Sequence, residues 1–133
     1  MSVRHILDSS ACRLLLALPL ALAVACGGGG GGGSDTAAPS PELVAAGEKH
    51  FMSTCATCHG RDANGLPNLG KGLRGNAFVQ ENDDEELVAF LETGRPAAHP
   101  LNTTGVDMPP RGGNPALSDE DLAAIVAYTR TLQ

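Results

Sequence analysis

The chain has no tryptophan, one tyrosine and three phenylalanines in 133 residues. A domain this poor in aromatic bulk has little with which to fill the centre of a core. Basic residues are also scarce: nine Lys and Arg stand against fifteen Asp and Glu, for a formal charge of −6. That balance argues against nucleic acid as a partner, which needs a basic face. It suits solubility and steering toward a basic patch on a partner. No apolar run approaches the roughly 20 residues of a spanning helix; Leu14–Ala25 reaches only 12. No segment alternates apolar and polar residues as a half-buried strand would, and no internal repeat is visible. The four cysteines do not form the pattern of a disulfide framework.

What is present begins with an export signal. Arg4 and Arg13 precede the apolar run, giving the charged n-region and short h-region of a secretory signal peptide over residues 1–25. A buried core helix is a poor alternative, because Pro19 interrupts the run and seven glycines (Gly27–Gly33) follow it. Leu22-Ala23-Val24-Ala25-Cys26 resembles a bacterial lipobox, which implies that Cys26 is the lipidated first residue of the exported chain. Cleavage after Ala25 without lipidation is the competing expectation and would leave a soluble periplasmic protein. Residues 26–40 then form a lipidated cysteine and a Gly-rich tether, stiffer over Ser34–Ser40. A Gly-rich linker of this kind has a mean reach on the order of 20 Å, which would hold a small domain beside a membrane while it swings between partners.

Residues 41–133 read as the folded domain, all-α with three main helices. Ser40-Pro41-Glu42 has the N-cap, first-turn proline and acid of a helix start, and this helix should end near Thr54. Asp83–Glu86 opens a second helix that Gly94 should close. Ser118-Asp119-Glu120-Asp121 begins a third that runs to the C-terminus, with Leu122, Ile125, Val126 and Thr129 on one stripe. The loops 60–76 and 95–117 are long and rich in Gly, Pro and Asn. Loops of that length are uncommon in a compact domain unless they serve a function or wrap a ligand.

The chemistry sits in Cys55-Ala56-Thr57-Cys58-His59. C-x-x-C-H is a haem-attachment signature. Two thiols three positions apart at a helix end can reach the two vinyl groups of one haem, and the next imidazole then lies under the iron. A covalently held apolar disc would also supply the bulk that the composition lacks. Three other readings stand beside this one. A zinc site would need further ligands at finger spacing, a thioredoxin-like pair needs a βαβ context, and a disulfide leaves His59 without a role.

With Gly47 and Phe51 before the motif, Met108-Pro109-Pro110 after it and Tyr128 in the last helix, residues 40–133 resemble the class I (mitochondrial-type) cytochrome c domain in a bacterial form. The resemblance implies long loops wrapped around one covalent haem c. It also implies a crossing of the N- and C-terminal helices, with Gly47, Phe51 and Tyr128 at the contact. Met108 is the candidate sixth iron ligand, in a loop stiffened by two prolines; His59 and Met108 together would raise the reduction potential relative to two nitrogens. Met52, His50 and His99 are the weaker candidates. The ring N–H of His59 should donate to a carbonyl of the following loop, where Pro67 is the only proline. Arg74 and Asn76 could reach haem propionates or could be surface residues.

The function implied is single-electron transfer in a bacterial respiratory chain, not catalysis on a substrate. The expected partners are membrane-bound redox complexes, and Gly94-Arg95-Pro96 with Asn102–Pro110 resembles cytochrome c subunits that accompany haem-copper oxidases. A shuttle on the periplasmic side of the membrane is the first expectation. A fixed haem subunit of an oxidase or dehydrogenase is the second, and a haem sensor or enzyme with an open sixth site is the third.

Overall fold

In the computed structural model, residues 38–133 are described; the signal segment, Cys26 and Gly27–Gly33 lie outside them. Helix α1 (Pro41–His50) starts at the cap anticipated from sequence: Ser40 Oγ accepts the Leu43 N–H at 3.2 Å and Pro41 takes the first position. The helix does not end near Thr54. It loosens into a π-helical turn over Phe51–Cys55 and closes with α2 (Ala56–His59), so the whole C-x-x-C-H motif rides on a continuous helical rod. Wide turns of this kind are frequent at functional sites. A short helix absent from the sequence reading, α3 (Ala77–Glu81), is capped by Asn76, whose side chain accepts the Phe78 N–H at 3.0 Å.

Helices α4 (Asp84–Thr93) and α5 (Asp119–Arg130) both begin with reciprocal capping boxes, Asp83 with Glu86 and Ser118 with Asp121. Each cap satisfies otherwise orphaned backbone donors and contributes about 1 kcal/mol. Gly94 ends α4 at φ 70°. Among the described residues there is no strand, only isolated bridges between Leu66 and Gly70 and between Arg95 and Met108.

The helix packing most extensive in the domain is α1 on α5. Gly47 makes it possible: a Cβ there would overlap the Ala124 carbonyl and press on Tyr128 Cβ at 2.9 Å. One turn on, fully buried Phe51 meets the Tyr128 ring at 5.3 Å between centroids. Helices α3 and α4 pack elsewhere along α5, where Val79 and Leu87 cluster with Val126. Arg130 ties α5 to the α3–α4 turn by donating to Asp84 Oδ1 at 2.8 Å, to the Asn82 carbonyl at 2.6 Å and to the Val79 carbonyl. No described helix is long and apolar enough to cross a membrane.

Candidate haem-binding site

The shortage of large side chains appears in the structure as a hollow. Buried residues form three separate clusters, around Phe51 and Tyr128, around Val79, Leu87 and Val126, and around Leu117, Leu122 and Ile125. The latter two clusters line a common cavity, and so do Cys55, Cys58, His59 and Met108. The helical rod contributes the thiols and imidazole, while the loop after α4 contributes Met108. Leu69, Leu73, Phe90, Leu91, Leu101 and Val106 complete largely apolar walls.

The loop after α2 orients His59. Its Nδ1 lies 2.7 Å from the Lys71 carbonyl oxygen. A carbonyl can only accept, so Nδ1 carries the proton and the lone pair of Nε2 is left for a metal. The partner carbonyl is that of Lys71, not of Pro67. The loop is braced to hold it there: Gly65 N–H donates to the His59 carbonyl at 2.7 Å, Leu73 N–H to Ala63 at 2.8 Å, and Arg74 Nε to the Asp62 carbonyl at 2.8 Å. Gly70 lies against Cys58, where any Cβ would collide with the Cys58 carbonyl.

Met108 is fixed by backbone pairing that the sequence did not disclose. Its N–H donates to the Arg95 carbonyl at 2.9 Å, and Arg95 N–H donates to the Met108 carbonyl at 2.8 Å. Between these two residues the chain folds around Asn102. Asn102 Nδ2 donates to the Val106 and Pro96 carbonyls at 2.7 and 3.2 Å, and its Oδ1 accepts from the Thr104 and Gly105 N–H groups, both at 3.0 Å. Beyond Pro109 and Pro110, Arg111 adopts a left-handed φ of 52° and donates to the Leu117 carbonyl at 2.7 Å while pairing with Asp119 and Glu92. The backbone of Met108 is thus held in a stiff frame beside the cavity.

The donor set fits a haem and fits its rivals poorly. Burial, reinforced by the neighbouring Cys58, pushes the Cys55 thiol up to about 11. Among the described residues, no three His, Cys, Asp or Glu side chains converge on a metal-sized site. The cavity's apolar walls suit a porphyrin, and Cys55, Cys58, His59 and Met108 are the side chains on them that could hold it.

Of the remaining candidates, His50, His99, Met52 and Arg74 lie away from the cavity. His50 Nε2 pairs with Asp121 at 3.1 Å. His99 is exposed, and its Nδ1 accepts the Leu101 N–H at 3.1 Å within its own turn. Met52 packs against the Phe51–Tyr128 cluster. Arg74 does not reach the cavity, because its guanidinium is drawn to the Asp62 carbonyl. Asn76 does line it, but its side chain is engaged in capping α3 and donating to the Gly72 carbonyl at 2.6 Å. Sequence reasoning missed Arg95, whose guanidinium lies 4.7 Å from the centroids of both Phe78 and Phe90. Only the fold brings these three residues together.

Comparison with known proteins agrees with this chemistry. Residues 42–128 match the family described as cytochrome C oxidase, cbb3-type, subunit III. A protein of Rhodobacter capsulatus named Cbb3-type cytochrome c oxidase subunit CcoP is 31% identical over 96 residues, covering 71% of this chain and 31% of the relative. A second protein of the same name, from another strain of that species, is 27% identical over 88 residues, covering 65% of this chain and 28% of the relative. The chain therefore spans less than a third of the length of these relatives. No solved structure matches it. Since the family match runs from the first turn of α1 into the last turn of α5, the chain belongs to the cbb3-type cytochrome c oxidase subunit III family, a family of cytochrome c domains.

Proposed function

We propose that this chain is a class I type haem c domain that relays single electrons as part of, or docked to, a membrane-bound oxidase. In this reading Cys55 and Cys58 hold the haem through thioethers, and His59 and Met108 ligate its iron. The observation that carries it is the convergence of these four side chains, from segments half a domain apart in sequence, on one apolar cavity. When bound, the haem supplies a one-electron ferric/ferrous couple. The chain's own residues do the rest. The Lys71 carbonyl keeps His59 in the tautomer that can ligate. The Arg95–Met108 pairing and the Asn102 hub hold the thioether in place whichever charge the iron carries, so little reorganisation accompanies transfer. Leucines and phenylalanines around the cavity keep water away from the iron.

The oxidase-associated role now outranks the free shuttle, because both relatives carry the name of an oxidase subunit. One C-x-x-C-H motif in the chain corresponds to one haem. Export by residues 1–25 and lipidation of Cys26 would place the domain on the periplasmic face of a membrane, on a tether of residues 26–40. An open sixth site, as in a haem sensor, is disfavoured by the placement of Met108.

The test is expression in a host that matures c-type cytochromes. The purified protein should carry one haem that survives denaturation, and C55S/C58S should lose it to acid–acetone extraction. Haem extractable from the parent protein would refute covalent attachment.

A further inference from the structure

Three cations line the cavity: Lys71, Arg95 and Arg111. Arg111 is engaged with the Leu117 carbonyl, Asp119 and Glu92. Lys71 serves His59 through its backbone carbonyl and is otherwise exposed. Arg95 differs from both. It is half-buried, and its guanidinium packs on Phe78 and Phe90, whose rings meet edge to face at 4.9 Å. Aromatic stacking holds a guanidinium by its faces and leaves the N–H edge open for a carboxylate. Among the described residues, no carboxylate comes within ion-pair distance of it. A guanidinium seated among apolar rings has given up part of its hydration, so its open edge points to an anion that the described residues do not provide. Arg95 also borders the surface groove that holds Glu86 and His99, which places it between the cavity and the outside.

We propose that Arg95 is the carboxylate clamp of this domain and binds a haem propionate through its guanidinium edge. The proposal rests on a haem occupying the cavity. It replaces Arg74 and Asn76, the candidates suggested by sequence, with a residue that the fold has already stacked in place. It also gives Arg95 two roles at once. Its side chain holds the charged edge of the cofactor, and its backbone holds Met108. A fixed cation near the haem edge disfavours the ferric charge, so Arg95 raises the reduction potential.

The first test uses the unaltered ferrous holoprotein. Nuclear Overhauser contacts are expected between the propionate methylene protons and Arg95 side-chain protons. Contacts confined to Lys71 or Arg111 would overturn the proposal. The second is an optical redox titration of R95Q and R95K. At one ambient potential, the ratio of reduced to oxidised R95Q should fall roughly tenfold, which is about 59 mV for a one-electron couple. R95K should recover most of the loss. The weak far-red band of sulfur on ferric iron should persist in both variants, since the backbone pairing with Met108 needs no side chain. A parental potential in R95Q also overturns the clamp. If R95Q does not assemble, the contacts in the parent decide. Absence of covalent haem from the parent, by contrast, removes the reading on which the clamp rests.

Discussion

Replacing Gly47 by alanine tests the packing that frames the site. In an ordinary helix interior this change is favourable by about 1 kcal/mol, because glycine is the poorer helix former. Here the new methyl would overlap the carbonyl of Ala124, a backbone atom of the opposing helix, with Tyr128 Cβ also within 2.9 Å. No flexible side chain can swing away, so α1 and α5 must separate. Overpacking of this sort costs about 1–3 kcal/mol. A backbone obstacle belongs at the upper end, which leaves a net loss of about 2 kcal/mol. For a domain of this size each kcal/mol shifts Tm by about 4–8 °C, so G47A should melt roughly 10 °C below the parent in thermal circular dichroism of the holoprotein. The exposed control A45G, on the same helix, should lose only about 1 kcal/mol. If G47A is as stable as the parent or more so, the close crossing of α1 and α5 is wrong.

Three further outcomes are expected. N102A removes the hub of the Arg95–Met108 loop and its four hydrogen bonds to the backbone, with a cost of about 2–6 kcal/mol at roughly 0.5–1.5 for each; its far-red band should vanish on heating before the helical signal does, whereas in the parent the two should vanish together. Hydrogen bonding from Arg111 holds the exposed Asp119 carboxyl below its ordinary value of 3.8. That lowered value gives stability that is present above pH 3.8 and lost as acid protonates the folded carboxylate. The stability gap between the parent and R111A, followed by urea unfolding, should therefore narrow below pH 4, and a gap constant from pH 7 to 3 would deny Asp119 this role. If Cys26 anchors the chain, C26S should move the haem protein from the membrane fraction to the soluble periplasm, and unchanged fractionation would deny the anchor.

Local signals were legible in the sequence because their physics is local. Ser40 and Ser118 cap the helices they were expected to cap, and Asp83 caps the one its acidic run was expected to open, since a cap needs only the next three residues. Gly94 ends α4 for the same reason. The C-x-x-C-H motif set the expectation of haem attachment through its spacing. What stayed hidden depended on partners distant in sequence. Helix α3 is too short for any periodicity to show and exists because Asn76 caps it and Val79 is buried. The extension of α1 through a π-helical turn follows from the packing of Phe51 on Tyr128. The resemblance implied a proline carbonyl and Pro67 is the proline of that loop, yet the acceptor for His59 is the Lys71 carbonyl, a backbone group that any residue type could supply. Arg74 read as a propionate partner or a surface residue because its acceptor, the Asp62 carbonyl, is brought to it only when the loop folds back. Met108 stood out as a candidate ligand from its proline-stiffened loop, but the pairing with Arg95 that fixes its backbone joins positions 13 apart.

The central claim is that His59 and Met108 close both axial positions of a covalently held haem. The most direct measurement is the spectrum of the oxidised protein, followed by exposure of the reduced protein to carbon monoxide. The account predicts a weak far-red sulfur-to-iron band and a reduced spectrum that carbon monoxide leaves unchanged, with M108A losing the band and binding the gas. A parent protein that lacks the band and takes up carbon monoxide would contradict it.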